Sequence, residues 1–249
     1  MPQLTNKIAL VTGSTAGIGK ASALALAAEG ATVIVSGRRA AEGQAVVDEI
    51  TETGGKATFI AADVTQPDQV AALFSQAIET VGDLDIVFLN SGIYHFAPLA
   101  EQTAEDLALQ LDVNVKGLYY GVQESARRLK PGSSVILNSS TVADIGMPGA
   151  SAYTMTKGAV NSLVAAAAVE LAPQGIRVNA ISPGPIWTEG MGEMMGSREN
   201  AEANLGGLNV MGRVGEPEEI ASGVVFLGSD ASSFITGQIL RIDGGIHIK

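Results

Sequence analysis

Tyr153 and Lys157 have the side-chain types and the spacing that proton transfer requires. They lie four residues apart, and on a helix this spacing places both side chains on one face. A phenol ionises at about pH 10 and is a weak acid–base catalyst at neutral pH, but a nearby ammonium group favours the phenolate. The pair is therefore a candidate proton-transfer device. Since such pairs also occur by chance on many helices, a solvated helix surface is the alternative.

A glycine-rich loop follows the first apolar run of the chain. It reads Thr-Gly-Ser-Thr-Ala-Gly-Ile-Gly and contains Gly13, Gly17 and Gly19. A helical pattern and a second apolar run come next, so the order strand, loop, helix, strand predicts a βαβ unit with a phosphate site at the helix N-terminus. The spacing Gly-x-x-x-Gly-x-Gly differs from the usual dinucleotide fingerprint, and a purely structural turn is the alternative.

Seven apolar runs predict the strands that must position these residues. They cover residues 8–11, 32–35, 57–62, 85–89, 134–137, 177–181 and 238–242, and helical sequence follows six of them. Apolar runs without polar alternation are typical of strands covered on both faces. The sequence therefore predicts a single α/β domain over residues 1–249, with a doubly wound, seven-stranded parallel sheet flanked by helices.

Residues 187–215 do not fit this alternation. The segment is rich in Met and Gly and shows neither a helical nor a strand period. Methionine adapts to varied apolar surfaces, and long segments without regular structure in compact domains are often binding loops. We therefore predict a mobile, apolar substrate lid inserted at 187–215.

Composition narrows the kinds of site that the chain can hold. It has no Cys and two His, so thiolate catalysis, disulfides and metal centres are not expected. A net charge of −11 argues against nucleic acid and acidic membranes as partners. The N-terminus lacks a basic stretch followed by a long apolar run, and no apolar run approaches about 18 residues, so we expect a soluble cytoplasmic protein.

Several ordered motifs together resemble the short-chain dehydrogenases/reductases, from residue 7 to residue 245. The glycine loop has that family's form, and Asn90-Ser91-Gly92 is similar to its Asn-Asn-Ala-Gly element, although Ser91 differs. Residues 183–188 resemble the segment that holds the nicotinamide carboxamide. Four residues fall at the positions of the family's catalytic tetrad: Asn114, Ser140, Tyr153 and Lys157. The resemblance implies a Rossmann-type fold and hydride transfer between a nicotinamide and a carbonyl or alcohol carbon.

The resemblance also implies a role for each member of the tetrad. Tyr153 would exchange a proton with the carbonyl or alcohol oxygen, while Ser140 donates a hydrogen bond to the same oxygen. Lys157 would lower the pKa of Tyr153 and bind the nicotinamide ribose. Asn114 would hold a water molecule that relays protons to solvent. From the residues alone, an Asn buried against backbone groups is the alternative for Asn114.

The predicted cofactor site combines the glycine loop with the ends of neighbouring strands. It comprises Gly13, Ser14, Thr15, Gly17, Ile18, Gly19, Arg38, Arg39, Asp63, Val64, Asn90, Ser91, Gly92, Tyr153, Lys157, Pro183, Gly184, Ile186 and Thr188. Gly37 stands where a carboxylate would bind the adenine ribose and repel a 2′-phosphate, and Arg38 and Arg39 follow it. Because a guanidinium binds phosphate well, NADP(H) is favoured over NAD(H), with solvated arginines as the alternative. Asp63 would accept a hydrogen bond from adenine or cap a helix.

Mostly apolar side chains are predicted to form the substrate pocket. They are Ile93, Tyr94, Ile145, Met147, Trp187, Met191, Met194 and Met195. We expect few charged residues to face this pocket, and hence a small neutral carbonyl or alcohol substrate. The three methionines of the lid are equally compatible with an ordinary helix core.

The sequence thus predicts an NADP(H)-dependent oxidoreductase that interconverts a neutral ketone or aldehyde and its alcohol. A 3-oxoacyl-[acyl-carrier-protein] reductase-like enzyme is an alternative, because residues 211–219 resemble that branch, although no basic cluster for an acidic carrier is evident. A non-catalytic dinucleotide-sensing regulatory protein is another, which the complete tetrad disfavours. The resemblance further implies a homotetramer, with the helices around Asn114 and Tyr153 at one interface and the last strand at the other.

Overall fold

Seven parallel strands form one sheet in the computed structural model, which describes residues 2–249. The strands are β1 (Ile8–Thr12), β2 (Thr32–Gly37), β3 (Lys56–Ala61), β4 (Ile86–Leu89), β5 (Ser134–Asn138), β6 (Arg177–Pro183) and β7 (Ile239–Ile242). Their order across the sheet is β3-β2-β1-β4-β5-β6-β7, with every pairing parallel. The order changes direction between β1 and β4, where the carboxyl ends of the strands open a crevice. The predicted doubly wound sheet is confirmed.

Nine α-helices among the described residues flank this sheet. They are α1 (Gly17–Ala28), α2 (Ala40–Glu52), α3 (Pro67–Val81), α4 (Ala104–Leu111), α5 (Leu118–Arg128), α6 (Ser151–Leu171), α7 (Glu189–Met195), α8 (Arg198–Leu205) and α9 (Pro217–Gly228). A π-helical segment, Asp112–Gly117, joins α4 to α5. Helices α3, α5 and α6 cover one face of the sheet, and α1, α2 and α9 cover the other.

Strand side chains alternate between two hydrophobic cores. Leu10 and Val87 belong to the core beneath α3, α5 and α6, whereas Val11 and Phe88 belong to the core beneath α1, α2 and α9. Both faces of each central strand are therefore buried, which explains why the strands read as uninterrupted apolar runs. Each fully buried side chain of this size stabilises the fold by roughly 1.5–3 kcal/mol.

The segment 187–215 is more regular than its sequence suggested. It contains α7 and α8, and the side chains of Thr188 and Ser197 cap them by accepting hydrogen bonds from Met191 N and Asn200 N, both at 3.2 Å. The sequence shows no period here although two helices form, and the role of the segment as a mobile substrate lid stays a prediction. The two helices have seven and eight residues, which is too short for a helical period to be visible in the sequence.

Within residues 2–249, no helix has both the length and the apolar character that a membrane crossing requires.

Candidate active site

The loop between β1 and α1 folds tightly against the end of β4. Gly13 and Gly17 have φ angles of +62° and +52°, which side chains other than glycine rarely adopt. A Cβ atom at Gly19 would lie 2.2 Å from the carbonyl oxygen of Gly13 and 2.5 Å from Nδ2 of Asn90. Asn90 donates hydrogen bonds from Nδ2 to the carbonyls of Thr12 and Gly13, at 3.1 and 3.0 Å. The loop thus turns its backbone and the N-terminus of α1 towards the crevice.

A cleft of about 590 Å³ extends from this loop along the carboxyl edge of the sheet. It brings together most of the predicted cofactor residues: Gly13, Thr15, Gly17, Ile18, Gly19, Arg38, Arg39, Asp63, Val64, Asn90, Ser91, Gly92, Tyr153, Lys157 and Thr188. Two distant stretches of the chain also meet here, because a Cβ atom at Gly17 would lie 3.3 Å from Cγ2 of Thr188.

Four residues of the predicted cofactor site do not line the cleft: Ser14, Pro183, Gly184 and Ile186. The Ser14 hydroxyl donates to Val11 O at 2.8 Å and accepts from Ser36 N at 2.9 Å, so it joins β1 to β2. Gly184 packs against Asp243, where a Cβ atom would lie 2.8 Å from Cα, and Ile186 belongs to the core beneath α9. These residues lie behind the wall of the cleft, and their contact with a cofactor stays a prediction.

Beside the glycine loop, two arginines and an aspartate line the cleft at the ends of β2 and β3. Arg39 donates from Nη2 to Thr15 Oγ1 at 3.1 Å and pairs with Glu42 at 3.5 Å. Arg38 is exposed and has no hydrogen-bond or ion-pair partner within residues 2–249. Asp63 lines the cleft, and its Oδ1 accepts from the backbone N and Oγ1 of Thr65 at 3.0 and 2.8 Å. Asp63 therefore also closes a local turn.

Tyr153 and Lys157 lie on the first turns of α6, with Lys157 Nζ 5.6 Å from the centre of the Tyr153 ring. Lys157 is only 2% exposed and donates from Nζ to the carbonyl oxygen of Asn138 at 2.7 Å. Burial lowers the pKa of Lys157 to about 8, because the low-dielectric surroundings disfavour the charged form. The ammonium group therefore titrates near physiological pH.

The pKa of Tyr153 moves in the direction opposite to the one expected from Lys157. Burial is the largest influence and raises it, a hydrogen bond with Ser140 lowers it, and the nearby Tyr94 raises it, so that the pKa of Tyr153 is about 12. The raised pKa departs from the expectation of a lowered one because desolvation of the phenolate is the largest influence on Tyr153. At neutral pH Tyr153 is thus a protonated phenol that can donate its proton.

Ser140 lies just after β5, at the start of the short 3₁₀ turn Thr141–Ala143. Its Oγ accepts from Val142 N at 3.4 Å and interacts with the Tyr153 hydroxyl. The neighbouring Ser139 is buried and donates to Asn161 Oδ1 of α6 at 2.6 Å. Of the two serines, only Ser140 is therefore available to an oxygen atom held beside Tyr153.

Asn114 lies in the π-helical segment Asp112–Gly117, between α4 and α5. Its side chain is fully buried: Oδ1 accepts from Ile93 N at 2.8 Å, and Nδ2 donates to Ile93 O at 2.7 Å and Thr156 Oγ1 at 3.2 Å. The alternative of an Asn bonded to backbone groups therefore describes this side chain. Both amide hydrogens are used within the protein, so a water molecule at this residue would have to use another atom.

The predicted substrate pocket divides into two groups. Ile93 and Tyr94 line the cleft, whereas Met147, Trp187, Met191 and Met195 pack against a small core formed by Ala201, Leu205 and Val214. The helix-core alternative therefore describes Met191 and Met195. Met194 is exposed, and Ile145 is half-buried in the loop after Ser140; neither lines the cleft.

Three residues at this end of the cleft escaped prediction. Glu189 and Glu193 line it from α7, so the expectation of few charged residues is wrong. Their spacing of four residues after the Thr188 cap is a sequence signal that places them on one helix face. Phe96 was also missed, although its ring centre lies 5.9 Å from that of Tyr153. It belongs to a segment without helix or strand, where no period indicates which side chains share a face.

The chain is similar over nearly its whole length to known oxidoreductases. A family model described as Enoyl-(Acyl carrier protein) reductase matches residues 13–247. An uncharacterized oxidoreductase of Methylorubrum extorquens is 42% identical over 248 residues, covering 99% of this chain and 100% of that protein. A cyclohexanol dehydrogenase of Acinetobacter sp. is 38% identical over 255 residues, covering 99% and 97%. The crystal structure of a short-chain type dehydrogenase/reductase from Mycobacterium marinum matches with a TM-score of 0.93 and 38% identity, covering 99% and 98%.

Burial of Lys157 predicts a pH-dependent stability. Its folded-state pKa of about 8 lies below the ordinary 10.5. Between these values the unfolded chain binds a proton that the folded chain does not, so the free energy of unfolding rises with pH. Relative to Lys157→Met, the wild type should gain about 2 kcal/mol from pH 8 to 9.5, or about 4–8 °C in Tm. Calorimetry without added nucleotide measures this difference.

The control for that experiment is Lys56→Met, which removes an exposed lysine from β3. Its Tm should follow that of the wild type throughout the pH range. A Tm difference between the wild type and Lys157→Met that stays constant from pH 7 to 9.5 would contradict the lowered pKa.

Proposed function

The chain belongs to the short-chain dehydrogenase/reductase family, and we propose that it is an NADP(H)-dependent enzyme that interconverts a neutral ketone or aldehyde and its alcohol. Proteins of this family are oxidoreductases that bind a nicotinamide dinucleotide. The proposal rests on the meeting of Tyr153, Ser140 and Lys157 at one end of a cleft whose other end is the glycine loop.

The residues of the cleft fit a dinucleotide. The glycine loop offers backbone N–H groups at a helix N-terminus, and a side chain at Gly19 would collide with the loop itself. In the proposed complex the loop holds the diphosphate, Lys157 the nicotinamide ribose and Thr188 the carboxamide. The nicotinamide, when bound, supplies or takes up the hydride. The carboxylates of Glu189 and Glu193 line the cleft and would repel an anionic substrate, which supports a neutral substrate.

Tyr153 is proposed as the proton donor in the direction of reduction. With a pKa of about 12 it is protonated at neutral pH and can donate to a carbonyl oxygen that Ser140 also binds. As the phenolate forms, the Lys157 ammonium 5.6 Å from the ring centre stabilises it by about 3 kcal/mol at an effective dielectric constant of about 20. The pKa of Lys157, about 8, then allows the lysine to return a proton to the tyrosine.

The preference for NADP(H) rests on the end of β2. Gly37 contributes no carboxylate there, and the exposed Arg38 lies beside it on the wall of the cleft. Arg39 is already engaged by Thr15 and Glu42, so Arg38 is the better candidate for a 2′-phosphate. A guanidinium can bind a phosphate through two charge-assisted hydrogen bonds.

A reductase of acyl-carrier-protein thioesters is the second candidate. The description of the matching family model, Enoyl-(Acyl carrier protein) reductase, favours it. The net charge of −11 and the carboxylates of Glu189 and Glu193 work against it, because an acidic carrier protein would be repelled. Activity with acetoacetyl thioesters far above that with simple ketones would favour this candidate.

The proposed homotetramer is supported by exposed apolar side chains on the helices that the family resemblance places at an interface. Tyr119 on α5 and Met155 on α6 are each 50% exposed, and Phe234 near β7 is fully exposed. Burial of such side chains between subunits is favourable. A monomeric mass in sedimentation would contradict the proposal.

The substitution Arg38→Gln should affect catalysis with NADPH much more than catalysis with NADH. Removing charge-assisted hydrogen bonds to a 2′-phosphate should lower kcat/KM for NADPH about 10- to 100-fold and change kcat/KM for NADH less than about twofold. Steady-state kinetics with both nucleotides measure this effect. Lys130→Gln, which removes a positive charge far from the cleft, is the control and should leave both values unchanged. A wild type that prefers NADH, or a variant that loses both activities equally, contradicts the NADP(H) preference.

Tyr153→Phe should remove the proton donor while keeping the ring. Loss of general acid catalysis should lower kcat by roughly 10²–10⁴-fold with the Kd for the nucleotide nearly unchanged. Ketone reduction and fluorescence titration of the nucleotide measure the two quantities. Tyr119→Phe, on the exposed face of α5, should behave as the wild type. Normal turnover by Tyr153→Phe would overturn the mechanism.

A further inference from the structure

Three aromatic rings meet at the substrate end of the cleft. Tyr94 and Phe96 are stacked, with ring centres 5.5 Å apart and planes inclined by 21°. The Tyr153 ring stands nearly perpendicular to both, at 6.0 Å from Tyr94 and 5.9 Å from Phe96, with interplanar angles of 69° and 86°. Tyr94 and Phe96 thus form one flat surface, which we call the aromatic wall. The ring of Tyr153, the proposed proton donor, stands nearly perpendicular to it.

The segment that carries this wall is held by its backbone at alternate residues. Ile93 exchanges two hydrogen bonds with the Asn114 amide, at 2.8 and 2.7 Å. The backbone N and O of His95 bond to the side-chain amide of Gln110, at 3.2 and 3.4 Å. The side chains of Asn114 and Gln110 are fully buried, so the segment is held by hydrogen bonds to the interior of the protein.

Ala97 continues this alternation, because its backbone N donates to Gly149 O at 3.0 Å. Tyr94 and Phe96 lie between the three anchored residues, and their rings are stacked on one another beside Tyr153. A wall held in this way is preorganised, so a ligand does not have to order it on binding. Phe96 is nevertheless 36% exposed, an apolar surface beside the catalytic hydroxyl that no described residue covers.

Helix α7 packs against the aromatic wall at Tyr94. The Tyr94 hydroxyl lies beneath it, where a Cβ atom at Gly190 would be only 2.7 Å from Oη. Burial and the charge of Glu193 both raise the pKa of Tyr94, so its hydroxyl stays protonated and the wall stays neutral. Tyr94 lines the cleft, and the exposed part of Phe96 beside it extends the apolar surface of the wall.

We propose that Tyr94 and Phe96 select a ring-bearing substrate, a neutral cyclic ketone or secondary alcohol whose ring packs on Phe96 while its oxygen faces Tyr153. This inference rests on the proposed function and deepens it. A rigid ring loses little conformational freedom on binding and matches a flat aromatic surface better than a flexible chain of equal size. The cyclohexanol dehydrogenase of Acinetobacter sp., 38% identical to this chain, is by its name an enzyme of a cyclic alcohol.

Matched six-carbon ketones test the selection in the presence of NADPH and, separately, NADH. Wild-type kcat/KM should favour cyclohexanone over 2-hexanone by at least about 10-fold, since the ring packs on Phe96 without ordering a chain. Phe96→Ala should lower kcat/KM for cyclohexanone by about 10-fold, mainly through KM, and that for 2-hexanone by less than about threefold. Leu99→Ala, which trims an exposed apolar residue of the next turn, is the control and should change neither. Equal losses for both ketones in Phe96→Ala would overturn the inference.

A binding measurement keeps the inference testable without turnover. Calorimetric titration of the enzyme–NADP⁺ complex compares cyclohexanecarboxamide with heptanamide, which carry the same number of carbons. The wild type should bind the ring at least about fivefold more tightly, and Phe96→Leu should reduce this preference. Equal affinity in the wild type would overturn the inference. Ring preference without reduction of any ketone would instead overturn the proposed function and leave the wall as a ring-binding surface.

Discussion

The active site depends on one buried amide, that of Asn114. Its side chain bonds the backbone of Ile93 on one side and Thr156 on the other, so it ties the loop after β4 to helix α6. Thr156 in turn donates to the carbonyl of Tyr153 at 2.7 Å. An unpaired buried amide costs roughly 1–3 kcal/mol per group, so these contacts are made together or not at all. The distance between the aromatic wall and the tyrosine is therefore set by the interior of the protein.

A second constraint is the buried side chain of Lys157, because taking its ammonium group out of water makes the fold less stable. Its only protein acceptor within residues 2–249 is the carbonyl of Asn138, and burial lowers its pKa towards neutrality. Burial also raises the pKa of Tyr153 to about 12, so two groups whose ordinary pKa values nearly coincide move apart in proton affinity. Transfer of a proton from the Lys157 ammonium to a Tyr153 phenolate is therefore favourable, whereas the reverse transfer is not. Active sites commonly contain buried ionisable groups whose shifted pKa values lower the stability of the fold.

The sequence allowed prediction of those features of the fold that leave a periodic pattern or that require a particular residue type. The strands were readable because burial on both faces leaves uninterrupted apolar runs, and the glycine loop because only glycine fits at Gly13, Gly17 and Gly19. The π-helical segment at Asn114 was not readable, since a shift from i+4 to i+5 bonding needs no particular residue type. Likewise the pKa of Tyr153 depends on how deeply the fold buries it, and Phe96 lies in an irregular segment whose path is set by distant amides.

The alternating anchors of the loop after β4 also bear on how this protein can evolve. Ile93, His95 and Ala97 are held through backbone atoms, which every residue type except proline provides in full. The side chains at Tyr94 and Phe96 can therefore change in size and shape while the path of the loop and the position of Tyr153 stay the same. Mutation at these two positions could diversify the compounds accepted by descendants of this protein without passing through variants that have lost their catalytic geometry.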